Sequence, residues 1–186
     1  MDSSLKIVGL ILAKKDSKRL HNKNWRDFAG KPMFIWNLEK ALQLFSEVYV
    51  SSDFDPILKK AESLGAIAIK RPEELCGETP NITVYKHAQH IMKADAIVAI
   101  QANSPSLDLE IIETVINLME DGNKEVKTCH SNGDDYGSIW AMTKERLANY
   151  PDPYKAKPDV WVKDISVDIH GIKDLQQALS DYEWTK

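Results

Sequence analysis

The sequence predicts a three-layer α/β/α sandwich built on a mostly parallel, Rossmann-like sheet, and three observations carry that expectation. Short apolar runs rich in β-branched residues alternate along the chain with segments whose apolar residues recur at helical spacing. The run at 6–13 has the apolar character of a strand covered on both faces, and it and the strands at 48–53 and 96–101 each hand over to polar residues at the carboxyl end. With 186 residues, 43% of them hydrophobic, the chain has material for one substantial core, so residues 1–186 are expected to form a single domain.

Residues 6–13 (Lys-Ile-Val-Gly-Leu-Ile-Leu-Ala) make the first strand. After a basic segment, Phe34, Ile35, Leu38, Ala41, Leu42 and Phe45 define an amphipathic helix. A short strand over 48–53 precedes a helix opened by Asp55 and Pro56, as cap and first residue, and closed by Gly65. A strand over 66–69, a helix over 80–92 and the strand 96–101 follow. A helix over 108–120, stopped by Gly122, leads into a strand at 125–130. The remainder is less regular: a strand at 138–142, a short helix at 144–149, a loop over 151–158 and a closing helix at 172–183. The chain has no internal repeat.

Composition excludes several classes. Eight Gly and eight Pro without a biased tract exclude collagen-like and low-complexity chains. No apolar run approaches the ~20 residues of a membrane span, and the first residues lack the basic-then-apolar order of a signal peptide, so a cytoplasmic protein with no membrane partner is expected. Cys76 and Cys129 are not spaced as a metal or redox pair and read as reduced thiols.

Charge is informative in its distribution. The chain has a formal net charge of -4, yet residues 14–31 hold seven Lys or Arg against two Asp, a local balance of 7 − 2 = +5. A solvated basic loop is one reading; a site for a polyanion such as a nucleoside triphosphate is the other. In open α/β sheets ligands sit beyond the carboxyl ends of the strands, near the switch in strand order. The polar stretches 14–24, 51–53 and 101–106 lie at such ends, which favours the phosphate site. It is not a P-loop, because Gly-x-x-x-x-Gly-Lys-Ser/Thr is absent, and neither Gly-x-Gly-x-x-Gly nor Gly-x-Ser-x-Gly occurs.

The run from Ile11 through Ala13, Lys14, Ser17, Lys18 and Leu20 to Lys23 and Asn24 resembles the nucleotide-binding signature of the CMP-sialic acid synthetase (acylneuraminate cytidylyltransferase) family, Ala-Arg-x-x-Ser-Lys-x-Leu-x-x-Lys-Asn. Further weaker matches follow in the family's order: Ala29-Gly30-Lys31-Pro32, Val50-Ser51-Ser52-Asp53, Arg71-Pro72, Gln101 with Ser104-Pro105, Gly137-Ser138-Ile139-Trp140, and Asp168-Ile169-His170 ahead of Asp174.

The resemblance implies a nucleotidyltransferase fold and transfer of a nucleoside monophosphate, usually CMP from CTP, onto a sugar hydroxyl with release of pyrophosphate. It implies that Lys14, Lys18 and Lys23 hold the triphosphate and offset charge on the leaving group, with backbone amides near Ala13 and Ser17 facing the phosphates. It sets Asn24 and Arg71 near base and ribose, Gln101 and Ser104 near nucleotide and sugar, and Tyr136 and Trp140 at the sugar pocket. Lys14 stands where the family usually has Arg, keeping charge but losing the planar fork.

Two departures bear on chemistry. The family's Asp-x-Asp pair for magnesium is Asp168 and His170 here, which leaves four readings: Mg2+ held by one carboxylate, phosphate oxygens and water; a more nitrogen-tolerant ion such as Mn2+; a weakened site with slow catalysis; or a His170 that only packs against the sheet edge. Only 31 residues separate Pro105 from Gly137, where the family carries a longer excursion that builds its dimer, so a monomer or small homodimer is expected. The expected partners are CTP or another triphosphate and a small sugar acceptor. A guanylyl- or other nucleotidyltransferase acting on a sugar phosphate and a nucleotide-binding module without turnover stand as alternatives. Nucleic acid is not expected, since one basic loop lacks a stacking platform. His87 and His90, three apart on a helix, read as helix surface, and Asp53 reads equally as support for the site or as a helix cap.

Overall fold

The computed structural model describes residues 5–130, 137–151 and 156–184. A seven-stranded sheet runs in the order β5-β4-β1-β6-β8-β7-β9. Its strands are β1 (Ile7–Leu12), β4 (Val48–Ser52), β5 (Ile67–Lys70), β6 (Ala96–Gln101), β7 (Glu125–His130), β8 (Ile139–Thr143) and β9 (Val160–Asp164). Only β8 runs against its neighbours in this sheet; the others pair in parallel. The strand order reverses between β1 and β6, and in register Leu12 lies level with both Ser51 and Gln101, so three strand ends share one edge at the switch point.

Helices cover both faces, as the apolar runs predicted. Alternation along β1 sends Ile11 to one face and Val8 and Leu10 to the other. On the first face, α1 (Met33–Leu44), α2 (Asp55–Ser63) and α4 (Leu109–Glu120) bury Phe34, Leu38, Ile57, Ile112 and Met119 against Ile11, Val50 and Val98. On the second, α3 (Asn81–Met92) and α5 (Lys144–Ala148) bury Tyr85, Met92 and Leu147 against Leu10 and Ile97. A third cluster seats α6 (Ile172–Trp184): Leu175 and Ala178 pack with Leu20, Phe28, Met33 and Ile169. That cluster brings the far end of the chain against the basic segment.

Three details differ from the sequence expectation. Phe54, not Asp55, occupies the cap position of α2, and Asp55 is the first helical residue. The edge strand β9 was not anticipated; its alternation of Val160, Trp161, Val162 and Lys163 sits beside a stretch that reads as loop, of which residues 152–155 lie outside the described set. Within the basic segment a ribbon of β2 (Asp27–Phe28) and β3 (Lys31–Pro32) forms around Ala29 and Gly30, both at positive φ (50° and 97°), the geometry of a two-residue hairpin turn. No described helix is long and apolar enough to cross a membrane.

Candidate functional site

The loop after β1 is fixed from β4. Ala13 donates its backbone N–H to Ser51 O (3.0 Å) and its carbonyl accepts from Ser52 Oγ (2.6 Å), while Asp53 Oδ1 accepts the backbone N–H of Lys15 (2.7 Å). Asp53 therefore supports the basic loop. Further on, Asn22 takes a left-handed conformation (φ 51°), which asparagine tolerates, and its carbonyl closes a 3-10 turn over Lys23–Trp25. Asn24 is buried there, and its side-chain amide donates to Lys14 O at 2.9 Å. Trp25 locks the turn onto the core by packing on Phe34 and Phe54.

A polar cavity of about 110 Å³ opens at this edge, lined by Lys14, Lys23, Asn24 and Arg71, with Gln101 and Asn103 from the end of β6 and Gly77, Thr79 and Asn81 from the approach to α3. Lys14 reaches across it to Gly77 O (3.3 Å). Arg71 is 6% exposed and clamped by Ser51, its Nε donating to the hydroxyl and its Nη2 to the carbonyl, both at 2.9 Å. Burial holds the Arg71 guanidinium below its ordinary value, with Asp53 pulling the other way. Burial also pushes the Lys23 ammonium down to about 8, against the pull of Asp168; Arg19 and Lys14 push it further down. A desolvated cluster of cations facing a polar cavity is what a polyanion neutralises.

Beside the cavity, the loop after β6 meets the segment after β9. Asn103 and Ile169 exchange backbone and side-chain bonds, Ile169 N–H to Asn103 O at 2.9 Å and Asn103 Nδ2 to Ile169 O at 3.3 Å. Ser104 Oγ donates to Asp168 Oδ1. The other oxygen, Oδ2, faces two imidazoles: His130 Nε2 at 3.5 Å and His170 Nε2 at 3.9 Å. His170 is held below its ordinary value by burial first and Lys23 second, opposed by Asp168, so its neutral, ligand-competent form is favoured. Among the described residues no three His, Cys, Asp or Glu side chains form a ready-made metal group. The pair of Asp168 with an imidazole still fits a divalent ion whose remaining ligands are phosphate oxygens and water, and the buried, unpartnered Nε2 of His130 is a donor awaiting such a partner.

The structure thus brings Lys14, Lys23, Asn24, Arg71 and Gln101 together around one cavity, and Asp168 with His170 next to Ser104. Ser17 and Lys18 do not line the cavity; the Lys18 side chain is 80% exposed and pairs with Glu78 at 3.0 Å. Trp140 sits away from it, donating its indole N–H to Glu125 (2.8 Å) among Tyr85, Tyr150 and Lys127. Tyr136 lies outside the described residues. His87 and His90 stand on α3, and His90 is exposed there as a helix-surface residue. Sequence reasoning gave no role to Thr79, Asn81 or His130, while Asn103 lies within the polar stretch 101–106 at a strand end that the sequence does single out.

Comparison with known proteins follows the same line. The profile of a family described as Cytidylyltransferase matches residues 8–150, from inside β1 to just past α5. N-acylneuraminate cytidylyltransferase of Escherichia coli O18:K1:H7 (strain RS218 / NMEC) is 36% identical over 115 residues, covering 59% of this chain and 27% of that protein. 3-deoxy-manno-octulosonate cytidylyltransferase of Acidobacterium capsulatum is 35% identical over 107 residues, covering 56% of this chain and 42% of that protein. The matched stretch is thus less than half of either relative. In three dimensions the chain is similar to CMP:2-keto-3-deoxy-manno-octonic acid synthetase complexed with CTP (TM-score 0.82, 18% identity, 97% of this chain and 100% of that one). It is similar also to Rv0371c of Mycobacterium tuberculosis H37Rv in complex with manganese (TM-score 0.70, 14% identity, 94% and 98%). At those identities the likeness is one of fold. With a family profile that runs through the basic loop, the Arg71 clamp and the Gln101 strand end, this chain belongs to the cytidylyltransferase family.

Proposed function

We propose that the chain is an enzyme that transfers CMP from CTP to a hydroxyl of a sialic-acid-like or other sugar, releasing pyrophosphate. The observation that carries this reading is the cavity at the switch point, where desolvated Lys23 and Arg71 converge with Lys14, Asn24 and Gln101 one loop away from Asp168. Family membership and the CTP bound by a fold neighbour support it. The sugar hydroxyl oxygen bonds to the α-phosphorus as the bond to the pyrophosphate oxygen breaks, and the hydroxyl proton passes to solvent. Catalysis in this reading comes from positioning and charge neutralisation.

Lys23 and Lys14 meet the triphosphate, with the amides near Ala13 and Ser17 beside it; Lys18 joins once the nucleotide displaces Glu78. Asn24 and Arg71 hold base and ribose, and Gln101 and Ser104 border the sugar, with Tyr136 and Trp140 assigned to its far side by the family pattern alone. Asp168 with a histidine would hold a divalent ion, Mg2+ or Mn2+, which would supply further neutralisation of phosphate charge; the manganese complex of a fold neighbour supports divalent use. We place it in the cytoplasm, as the sequence reading expects, and the short span between Pro105 and Gly137 supports a monomer or small homodimer.

The test is pyrophosphate release from CTP, UTP, GTP and ATP against acidic sugars and sugar phosphates, with Mg2+ or Mn2+ present. CTP-selective turnover on an acidic sugar is expected. Turnover with GTP on a sugar phosphate would replace the reading, and nucleotide binding without turnover on any acceptor would reduce it to a binding module.

A further inference from the structure

His130 closes β7 at the same edge as the nucleotide cavity, paired in register with Asp164 at the end of β9, four residues before Asp168. Its side chain is 14% exposed, whereas that of His170 is 47% exposed. The Nε2 of His130 is buried and has no hydrogen-bond partner among the described residues, an arrangement that costs free energy unless something occupies it. It faces Asp168 Oδ2 at 3.5 Å, too far for a good hydrogen bond. That separation sets an imidazole nitrogen and a carboxylate oxygen close enough to meet a common cation. Asp168 is braced for the task, because Ser104 occupies its other oxygen and Ser106 Oγ accepts the backbone N–H of Val167 (3.0 Å).

We propose that His130, rather than His170, is the nitrogen ligand that joins Asp168 on a divalent ion, and that this pair makes the site prefer manganese-class ions to magnesium. The proposal rests on the metal-assisted reading above and names the ion class and the residue that selects it. An imidazole nitrogen suits Mn2+, Co2+ or Zn2+ better than Mg2+, which takes oxygen ligands almost exclusively. His170, half-exposed with its backbone N–H tied to Asp174 Oδ2 (2.9 Å), remains free to meet phosphate or solvent.

The experiment is Mn2+ binding to the whole chain in the presence of CTP, followed by electron paramagnetic resonance, with Mg2+ as competitor. Spin-echo modulation reports whether an imidazole nitrogen is bound directly. Native protein, His130→Gln, His170→Gln and Asp168→Asn are compared, with circular dichroism showing that each is folded. The expected result is a nitrogen modulation in native protein and in His170→Gln that His130→Gln lacks, together with binding about tenfold or more weaker in His130→Gln. Native Mn2+ should resist a large excess of Mg2+. Modulation that persists in His130→Gln and vanishes in His170→Gln overturns the proposal while leaving the metal reading intact. Unchanged Mn2+ binding in Asp168→Asn, or none in native protein, overturns both.

Discussion

Asn37 on α1 donates its side-chain amide to the carbonyl oxygen of Gln101 at 2.8 Å, and the same amide also reaches Ser104 O at 2.8 Å. Asn37 is fully buried, and its own oxygen accepts from Lys40 Nζ (3.2 Å), which in turn reaches Pro105 O (2.8 Å). One helix side chain thus holds the turn that carries Gln101 to the cavity and Ser104 to Asp168.

Asn37→Ala leaves two carbonyls without their donor. We expect a loss of about 2–4 kcal/mol, and a fall in Tm of roughly 5–10 °C. The CTP dissociation constant should rise in the same variant under conditions where it is folded. A variant with native Tm would show that water replaces the amide at no cost and that the turn does not depend on α1.

Lys23 separates stability from function. Its folded pKa, about 8, lies below the ordinary 10.5, so between those values the unfolded chain binds more protons and stability rises with pH. At neutral pH the buried, charged lysine is a cost to the folded state. Lys23→Met should therefore raise the Tm of the nucleotide-free protein at pH 7 and flatten its rise between about pH 8 and 10, while lowering turnover at least about 100-fold. In native protein, CTP affinity should weaken as pH climbs through about 8 and the ammonium discharges. Melting curves and calorimetric titrations across that range check both halves; a lower Tm for Lys23→Met at pH 7 contradicts the burial argument.

Arg71→Lys tests the clamp on Ser51. The guanidinium makes two bonds of 2.9 Å to one residue, from Nε and from Nη2, and an ammonium on a different stem does not reproduce that fork. A destabilisation of about 1–3 kcal/mol by urea unfolding is expected, together with a KM for nucleotide raised about tenfold. Unchanged KM with reduced stability would make Arg71 a packing residue of the strand edge only.

Legibility from sequence followed the range of the interactions. The strands β1, β4 and β6 and helices α1, α3 and α4 were readable because continuous apolar runs and helical spacing are local patterns. Lys14 and Lys23 were readable for the same reason, as part of a charge cluster at a strand end, whereas Asn24 was reached through the family resemblance alone. β9 was missed because an edge strand beside a proline-containing loop has its partner, β7, some thirty residues upstream. Asn37 and His130 were missed because their meaning lies in what they face, Gln101 and Asp168, and no spacing rule encodes that. Trp140, assigned to the sugar by its place in a motif, has its indole N–H engaged by Glu125 inside an aromatic cluster.

Gly137 tests the β7–β8 pairing beside His130. A Cβ at this position would stand 2.1 Å from Thr128 Oγ1, 2.5 Å from the Thr128 carbonyl carbon and 2.6 Å from its oxygen. The contacts are close because Gly137 N–H donates to Thr128 O (2.9 Å) as β7 and β8 come together, while Thr128 Oγ1 accepts from Ile139 N–H (2.9 Å). Gly137→Ala must push the two strands apart, at a cost of at least about 2–3 kcal/mol in urea unfolding. Truncating the neighbour should not relieve it: Thr128→Ala removes the hydroxyl, but the backbone atoms at 2.5 and 2.6 Å stay. The double variant is therefore expected to be no more stable than Gly137→Ala. Because His130 lies two residues beyond Thr128 on the displaced strand, Mn2+ binding should weaken along with stability, even where the protein remains folded. Restoration of native stability in the double variant would show that the side chain, and not the backbone approach, excludes a larger residue here.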